Sequence, residues 1–84
     1  MDWARVGEVT HYYAQVGVAV VRLEDALAIG DWIALVRAGG QLFEQQVTSM
    51  QIEHQNIDYA EAGDDIGLQV LEKVKAGTEV YKQV

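Results

Sequence analysis

The segments VTSMQIEH (residues 47–54) and AGDDIGL (residues 62–68) decide the predicted fold. The first is typical of the second half of a long strand that begins at Leu42. The second predicts a tight Gly-Asp-Asp turn into a strand over residues 66–71, where apolar residues occupy every second position. The connector over residues 55–62 has no period of two and allows at most one helical turn. Two strands joined by a loop across one end of a barrel are therefore expected.

The apolar phase shifts inside the predicted long strand. Phe43 and Val47 occupy odd positions, whereas Met50 and Ile52 occupy even ones. One extra residue between the two pairs would return all four side chains to the same side of the sheet. We therefore predict a β-bulge at residues 48–49.

Four further strands are predicted from β-branched and aromatic residues. Gly7 lies inside the first of them, where the backbone must bend or approach a neighbouring strand closely. In the last of them, Val80 and Val84 are expected to point inward. These four strands cover residues 5–13, 16–23, 32–37 and 77–84.

Two connectors carry clear turn chemistry. Leu27 and Ile29 are apolar and two residues apart, so both are expected to plug one end of the barrel. Gly30 with Asp31 then permits a turn that requires positive φ. The paired glycines within residues 38–41 predict a hairpin between the strands on either side.

The predicted fold class is all-β. Six strands at a spacing of about ten residues, separated by glycine turns, are typical of a small barrel or sandwich. Closure removes the unpaired edges of such a sheet, so a closed six-stranded Greek-key barrel is favoured. The chain of 84 residues is long enough for one such domain, covering residues 1–84.

The composition favours a cytoplasmic protein that works without a membrane or nucleic acid. The formal net charge is −7, and residues 53–65 hold five acids and no lysine or arginine. Such a surface repels phosphate backbones, which disfavours RNA as a partner. The chain has no cysteine, no membrane-length apolar run and no signal peptide in its opening residues MDWAR.

No catalytic, cofactor or metal site is predicted. His11 and His54 are the only histidines, and with no cysteine they do not form a zinc ligand set. Ser49 is the sole serine and lies where the bulge is expected, so no nucleophile with its base is visible. The chain is therefore expected not to be an enzyme.

The chain resembles the second domain of translational GTPases, the β-barrel that follows the nucleotide-binding domain in elongation factor Tu and its relatives. The resemblance implies a translation-factor barrel, but the chain has no GxxxxGK[ST] segment and so no GTPase activity. It implies a stand-alone, non-enzymatic module that binds a protein partner in translation. The matching landmarks are Val16-Gly17-Val18, LxIGD at 27–31, VxSMQ at 47–51, residues 62–68 and the closing Gly77-x-x-Val80.

In that family the strand matching Met50 to His54 holds the aminoacylated end of tRNA. The family glutamate that meets the terminal adenine falls at Gln51, and Glu53 replaces a family histidine, so the match departs at both positions. An RNA binder of tRNA acceptor ends, acting through this strand, is the first alternative. A similar small barrel is appended to some collagenase-like peptidases of the U32 type, and an accessory subunit of such a peptidase is the second.

The candidate binding surface comprises Met50, Gln51, Glu53, His54 and Trp32. Trp32 opens a strand whose two faces are both apolar, which calls for cover by a loop, a partner or a second copy of the chain. A homodimer is accordingly predicted alongside the protein partner.

Overall fold

Strands form where β-branched and aromatic residues alternate with polar ones, and no other regular element occurs in residues 2–38 and 40–84, which the computed structural model describes. The predicted hairpin turn at Gly39 lies outside these residues. The strands are β1 (Trp3–Tyr13), β2 (Val18–Leu23), β3 (Leu27–Ala28), β4 (Trp32–Arg37), β5 (Gly40–Gln46), β6 (Met50–Ile52), β7 (Gln55–Ile57), β8 (Tyr59–Ala60), β9 (Asp65–Gln69) and β10 (Glu79–Gln83).

Eight of these strands form one antiparallel sheet in the order β5-β4-β10-β1-β2-β9-β6-β7, and β3 pairs with β8 beside it. The all-β class is confirmed. Closure is not, because no backbone pairing in the described part of the chain joins the edge strands β5 and β7. The same described residues contain no helix with the length and apolarity to cross a membrane.

The predicted long strand over residues 42–54 is interrupted. It separates into β5 and the three-residue β6, and residues 47–49 between them belong to no strand. Val47 stays inward because its N–H donates to the Asp31 carbonyl and its own carbonyl accepts from Gly30, both at 2.8 Å. The predicted bulge at residues 48–49 is wrong, since an irregular link carries the phase shift that brings Met50 into the core.

A buried glutamine ties the edge strand β5 to the end of β9. The side-chain amide of Gln45 donates to the Gln69 carbonyl at 2.8 Å, and its oxygen accepts from the Leu71 N–H at 2.8 Å. Gln45 is 3% exposed, so these bonds satisfy a polar group that burial would otherwise penalise. The sheet must curl for β5 to reach the end of β9, and the contact between them is made by the Gln45 side chain.

The core lies on the concave face of the curled sheet. Leu27 is buried there, as predicted, but Ile29 is 40% exposed and does not plug an end. Val80 points inward as predicted, whereas Val84 lies beyond β10 and is exposed. The largest fully buried side chains on the central strands are Val6, Val9, Val21, Leu23, Ile33, Leu35, Ile66, Leu68 and Val80.

The turns predicted at Gly30 and Gly63 are confirmed, because both glycines have φ of 96°. An aspartate supports each turn: Asp31 accepts from the Ala28 N–H and Asp64 accepts from the Glu61 N–H, both at 2.9 Å. Gly17 also has positive φ, at 66°, and this places it in the turn before β2 instead of inside the strand.

Gly7 is required by the close approach of β1 and β2. A Cβ atom at this position would lie 2.4 Å from the backbone oxygen of Arg22 and 2.9 Å from a Val21 methyl. The pairing of β1 with β10 also shifts register between Arg5 and Gly7. The predicted role of Gly7 is therefore confirmed.

Arg5 holds three carboxylates at one point on the surface. Its guanidinium donates to Glu79 at 3.0 Å, to Glu8 at 3.2 Å and to Glu24. The Tyr81 hydroxyl donates to the same Glu79 oxygen at 3.0 Å. The bond from Arg5 and then that from Tyr81 lower the pKa of the Glu79 carboxyl.

The Gly7→Ala variant is expected to lose about 2–4 kcal/mol of unfolding free energy, because the added methyl group meets fixed backbone. Gly40→Ala is the matched control, since its Cβ would meet only the Arg37 oxygen at 3.8 Å. We expect the control to stay within about 0.5 kcal/mol of the parent in urea unfolding. Equal stability of both variants would contradict this account of β1.

The ion pairs of Arg5 should make the stability of the protein depend on pH in the acidic range. The folded pKa of Glu79 lies below its ordinary value of 4.5, so the stabilisation is present above pH 4.5 and is lost as the pH falls through the lowered pKa. Arg5→Met should therefore show a smaller fall in Tm between pH 7 and pH 3 than the parent. Lys73→Met, which removes a cation outside the cluster, should keep the parental fall. An unchanged fall in Arg5→Met would contradict the assignment.

Candidate binding groove

A groove of about 720 Å³ lies on the outer face of β2, β9 and β6. One side is formed by the end of β1 and the following turn, where Tyr13 and Val16 are 52% and 61% exposed. The other side is formed by the turn that joins β6 to β7. The groove is therefore an open surface feature between two hairpin turns.

The floor of the groove follows from the alternation of β9. Gly67 pairs with Val20 of β2 on one side and with Gln51 of β6 on the other. Because Gly67 has no side chain, a gap separates Val20 from Gln51. A Cβ atom there would lie 3.3 Å from a Val18 methyl, so even a small side chain would crowd the floor.

The two other outward positions of β9 close the ends of this gap. Arg22 holds Asp65 with bonds of 2.7 and 3.3 Å, and this guanidinium lowers the pKa of the Asp65 carboxyl. At the opposite end, the Gln69 amide donates to the carbonyls of Val16 and Gly17 at 3.2 and 3.1 Å. Gln69 lines the groove, and its side-chain oxygen accepts no bond from the other described residues, so it remains available as an acceptor.

The turn beside the groove is strained. Glu53 and His54 have φ of 50° and 65°, and Ile52 pairs with Gln55 across them. Two positive φ values in a two-residue loop are the pattern of a type I′ turn, which strongly prefers Asn-Gly. Residues with side chains reach this conformation at a cost, and such strain is concentrated at functional sites.

The structure divides the predicted binding surface. Gln51, Glu53 and His54 all line the groove, although Glu53 and His54 lie in the turn and not on a strand. Met50 is 1% exposed and belongs to the core, so its place in the predicted surface is wrong. Alternation is the reason, because the neighbour of an outward Gln51 must point inward.

Trp32 lies on β4 and does not line the groove. The residue is 42% exposed, and its indole N–H donates to Glu44, which also accepts from Gln41 at 2.7 Å. The bond from Trp32 is the main cause of the lowered pKa of Glu44. Leu42 on the paired strand β5 is 47% exposed, so β4 and β5 carry a second apolar surface outside the groove lining.

The groove offers apolar contact and hydrogen-bond acceptors. His11 is exposed on β1, with its ring centre 4.3 Å from that of Tyr13, and His54 is exposed in its turn. Within residues 2–38 and 40–84, no three histidine or acidic side chains come together as a metal site would need. The arrangement is suited to holding a ligand.

Eight lining residues were missed by the sequence reasoning: Tyr13, Val16, Val18, Val20, Asp65, Ile66, Gly67 and Gln69. They were interpreted as ordinary strand or turn residues, because periodicity cannot tell an outward valine over a groove from one in a core. Gly67 was the available signal, since a glycine inside a strand often marks a close approach by another group.

Replacing Glu53 with Asn and His54 with Gly should stabilise the protein by about 1–2 kcal/mol, because Asn-Gly adopts this turn with less strain. A double alanine variant at the same positions is the matched control. It removes both side chains but keeps the strained backbone, so no gain is expected. Urea unfolding measures both, and equal stability of the two variants would contradict the strain assignment.

Comparison with known proteins overturns the translation-factor resemblance. Over 76 residues, 90% of the chain, the sequence is 34% identical to an uncharacterized protease of Methanocaldococcus jannaschii, and the chain spans 19% of that protein's length. No protein-family model matches the chain.

Solved structures with the same fold belong to the C-terminal domain of a Geobacillus thermoleovorans protein assigned to the U32 peptidases. That domain matches with a TM-score of 0.85 at 18% identity, over 94% of this chain and 91% of that one. Its selenomethionine variant matches with a TM-score of 0.85 at 18% identity, over 92% and 96% of the two chains.

The chain thus shares its fold with the C-terminal domain of that U32-assigned protein and part of its sequence with a protease, and neither of these proteins is a translation elongation factor. The predicted translation-related function is therefore wrong, and the peptidase-accessory alternative agrees better with the findings. The quoted landmarks misled because Gly-Asp turns between apolar strands satisfy the same backbone requirement in many β-domains.

Proposed function

We propose that this chain is a non-catalytic accessory module of a U32-type peptidase. The observation that carries the proposal is the fold match to an isolated C-terminal domain, with a TM-score of 0.85 and 96% of that domain covered. The 34% identity to a protease, over 90% of this chain, supports the same setting by sequence. The module acts in the cytoplasm by binding a polypeptide.

The residues available favour binding over catalysis. The chain has no cysteine and a single serine, Ser49, which lies two residues after the buried Val47 in the link between β5 and β6. The groove presents valine side chains beside glutamine and carboxylate oxygens, without a nucleophile held by a base among its lining residues. Such a surface recognises a ligand by shape, apolar contact and charge.

A second surface supports the predicted self-association. Trp32 and Leu42 leave apolar area uncovered on β4 and β5, away from the groove lining. A second copy of the chain would bury it, and dimers are the commonest way in which such surfaces are covered.

Affinity purification from the native host tests the proposal. The protein as the host makes it, used as bait, should carry the catalytic region of a U32-type peptidase in its own polypeptide or recover it as a bound chain. An unrelated β-domain of equal net charge serves as the control bait and should not recover it. Recovery of translation factors, without any peptidase region, would contradict the proposed function.

A further inference from the structure

The carboxylates and the amide oxygens that line the groove accept hydrogen bonds, whereas Tyr13 and His54 carry side-chain donors at its two sides. The Gln69 amide nitrogen donates to the main-chain carbonyls of Val16 and Gly17, which leaves its side-chain oxygen available as an acceptor. The Gln51 amide donates to Asn56 at 3.0 Å, so its oxygen is likewise the free partner. A ligand that pairs with these oxygens must bring donors.

The charge of the groove is negative, and one carboxylate in it lacks a partner. Asp65 is neutralised by Arg22, but Glu53 forms no ion pair with any described residue. Glu53 also begins the segment of five acids without a base that ends at Asp65. Charge complementarity therefore requires a cation beside the strained turn and repels phosphate.

The apolar part of the groove can accommodate an extended, strand-like ligand. Val18, Val20 and the exposed Val16 form one apolar side, and Gly67 opens the gap in the middle. An extended polypeptide places successive side chains on opposite faces, so one apolar side chain can enter the gap while its neighbours point away from the floor.

We propose that this groove binds an extended polypeptide segment in which apolar side chains alternate with lysine or arginine. The apolar side chain enters over Gly67, between Val20 and Gln51. A neighbouring cation meets Glu53, and the oxygens of Gln51 and Gln69 accept from donors of the segment. This inference rests on the proposed function, because it names the ligand class of an accessory module that meets polypeptides.

Fluorescence anisotropy with a short labelled peptide of alternating lysine and leucine tests the inference. We expect saturable binding that weakens with added salt. A glutamate-leucine peptide, a serine-leucine peptide and a single-stranded RNA of similar length are the comparison probes. Equal binding of the glutamate peptide, or stronger binding of the RNA, would overturn the proposal.

Variants distinguish binding in the groove from general electrostatic attraction of a cationic peptide to an acidic protein. Glu53→Gln should weaken binding of the lysine-leucine peptide about two- to fivefold, which is the effect expected for one exposed ion pair. Glu72→Gln, an equal loss of charge outside the groove lining, should leave binding unchanged. Equal weakening by both variants would overturn the assignment of Glu53.

Placing a side chain at Gly67 tests whether the gap in the groove floor receives the ligand. Gly67→Val should weaken binding at least about tenfold, the scale of a central contact. Val16→Ser at an exposed turn position gives a second variant that cannot act by unfolding the core, and it should also weaken binding. Leu42→Ser, an exposed apolar residue outside the groove lining, is the control. Unchanged binding in Val16→Ser and in a folded Gly67→Val would overturn the proposal.

The outcome is distinguishable from failure of the proposed function. If the peptide does not bind but the affinity purification recovers a U32-type peptidase region, only the proposed role of the groove is overturned. Peptide binding that is lost in Gly67→Val, without any recovered peptidase region, overturns only the accessory role.

Discussion

The alternation of β9 is the constraint on which the rest of the structure depends. Ile66 and Leu68 point inward and are fully buried, and burial of each side chain contributes about 1.5–3 kcal/mol. Their registers with β2 and β6 are therefore fixed, because a slip of one residue would expose both. The same registers place Asp65, Gly67 and Gln69 outward, and these three positions shape the groove.

The groove thus inherits its rigidity from the core beneath it. Gln45 adds to this by holding the main chain just after β9 against the edge strand β5. The strained feature beside the groove is the turn at Glu53 and His54, where a more stable turn sequence would remove the only unpaired carboxylate among the groove lining. This combination, a rigid floor beside a costly polar turn, is what a binding surface selected over stability would show.

Local backbone requirements were predictable from the sequence. Gly7, Gly30 and Gly63 each occupy a position that their surroundings or their φ angle demand. The interruption before β6 was not predictable. It depends on the hydrogen bonds that Val47 donates to Asp31 and accepts from Gly30, and these partners are distant in sequence. The Glu53-His54 turn was missed for a different reason, since turn rules favour glycine or asparagine where φ is positive.

A nuclear magnetic resonance titration of the labelled protein with the lysine-leucine peptide tests the central claim most directly. The account predicts that amide shifts change at Val18, Gln51, Gly67 and Gln69, on the outer face of β2, β9 and β6. Changes centred on Trp32 and β4, or changes spread evenly over all acidic positions, would contradict it.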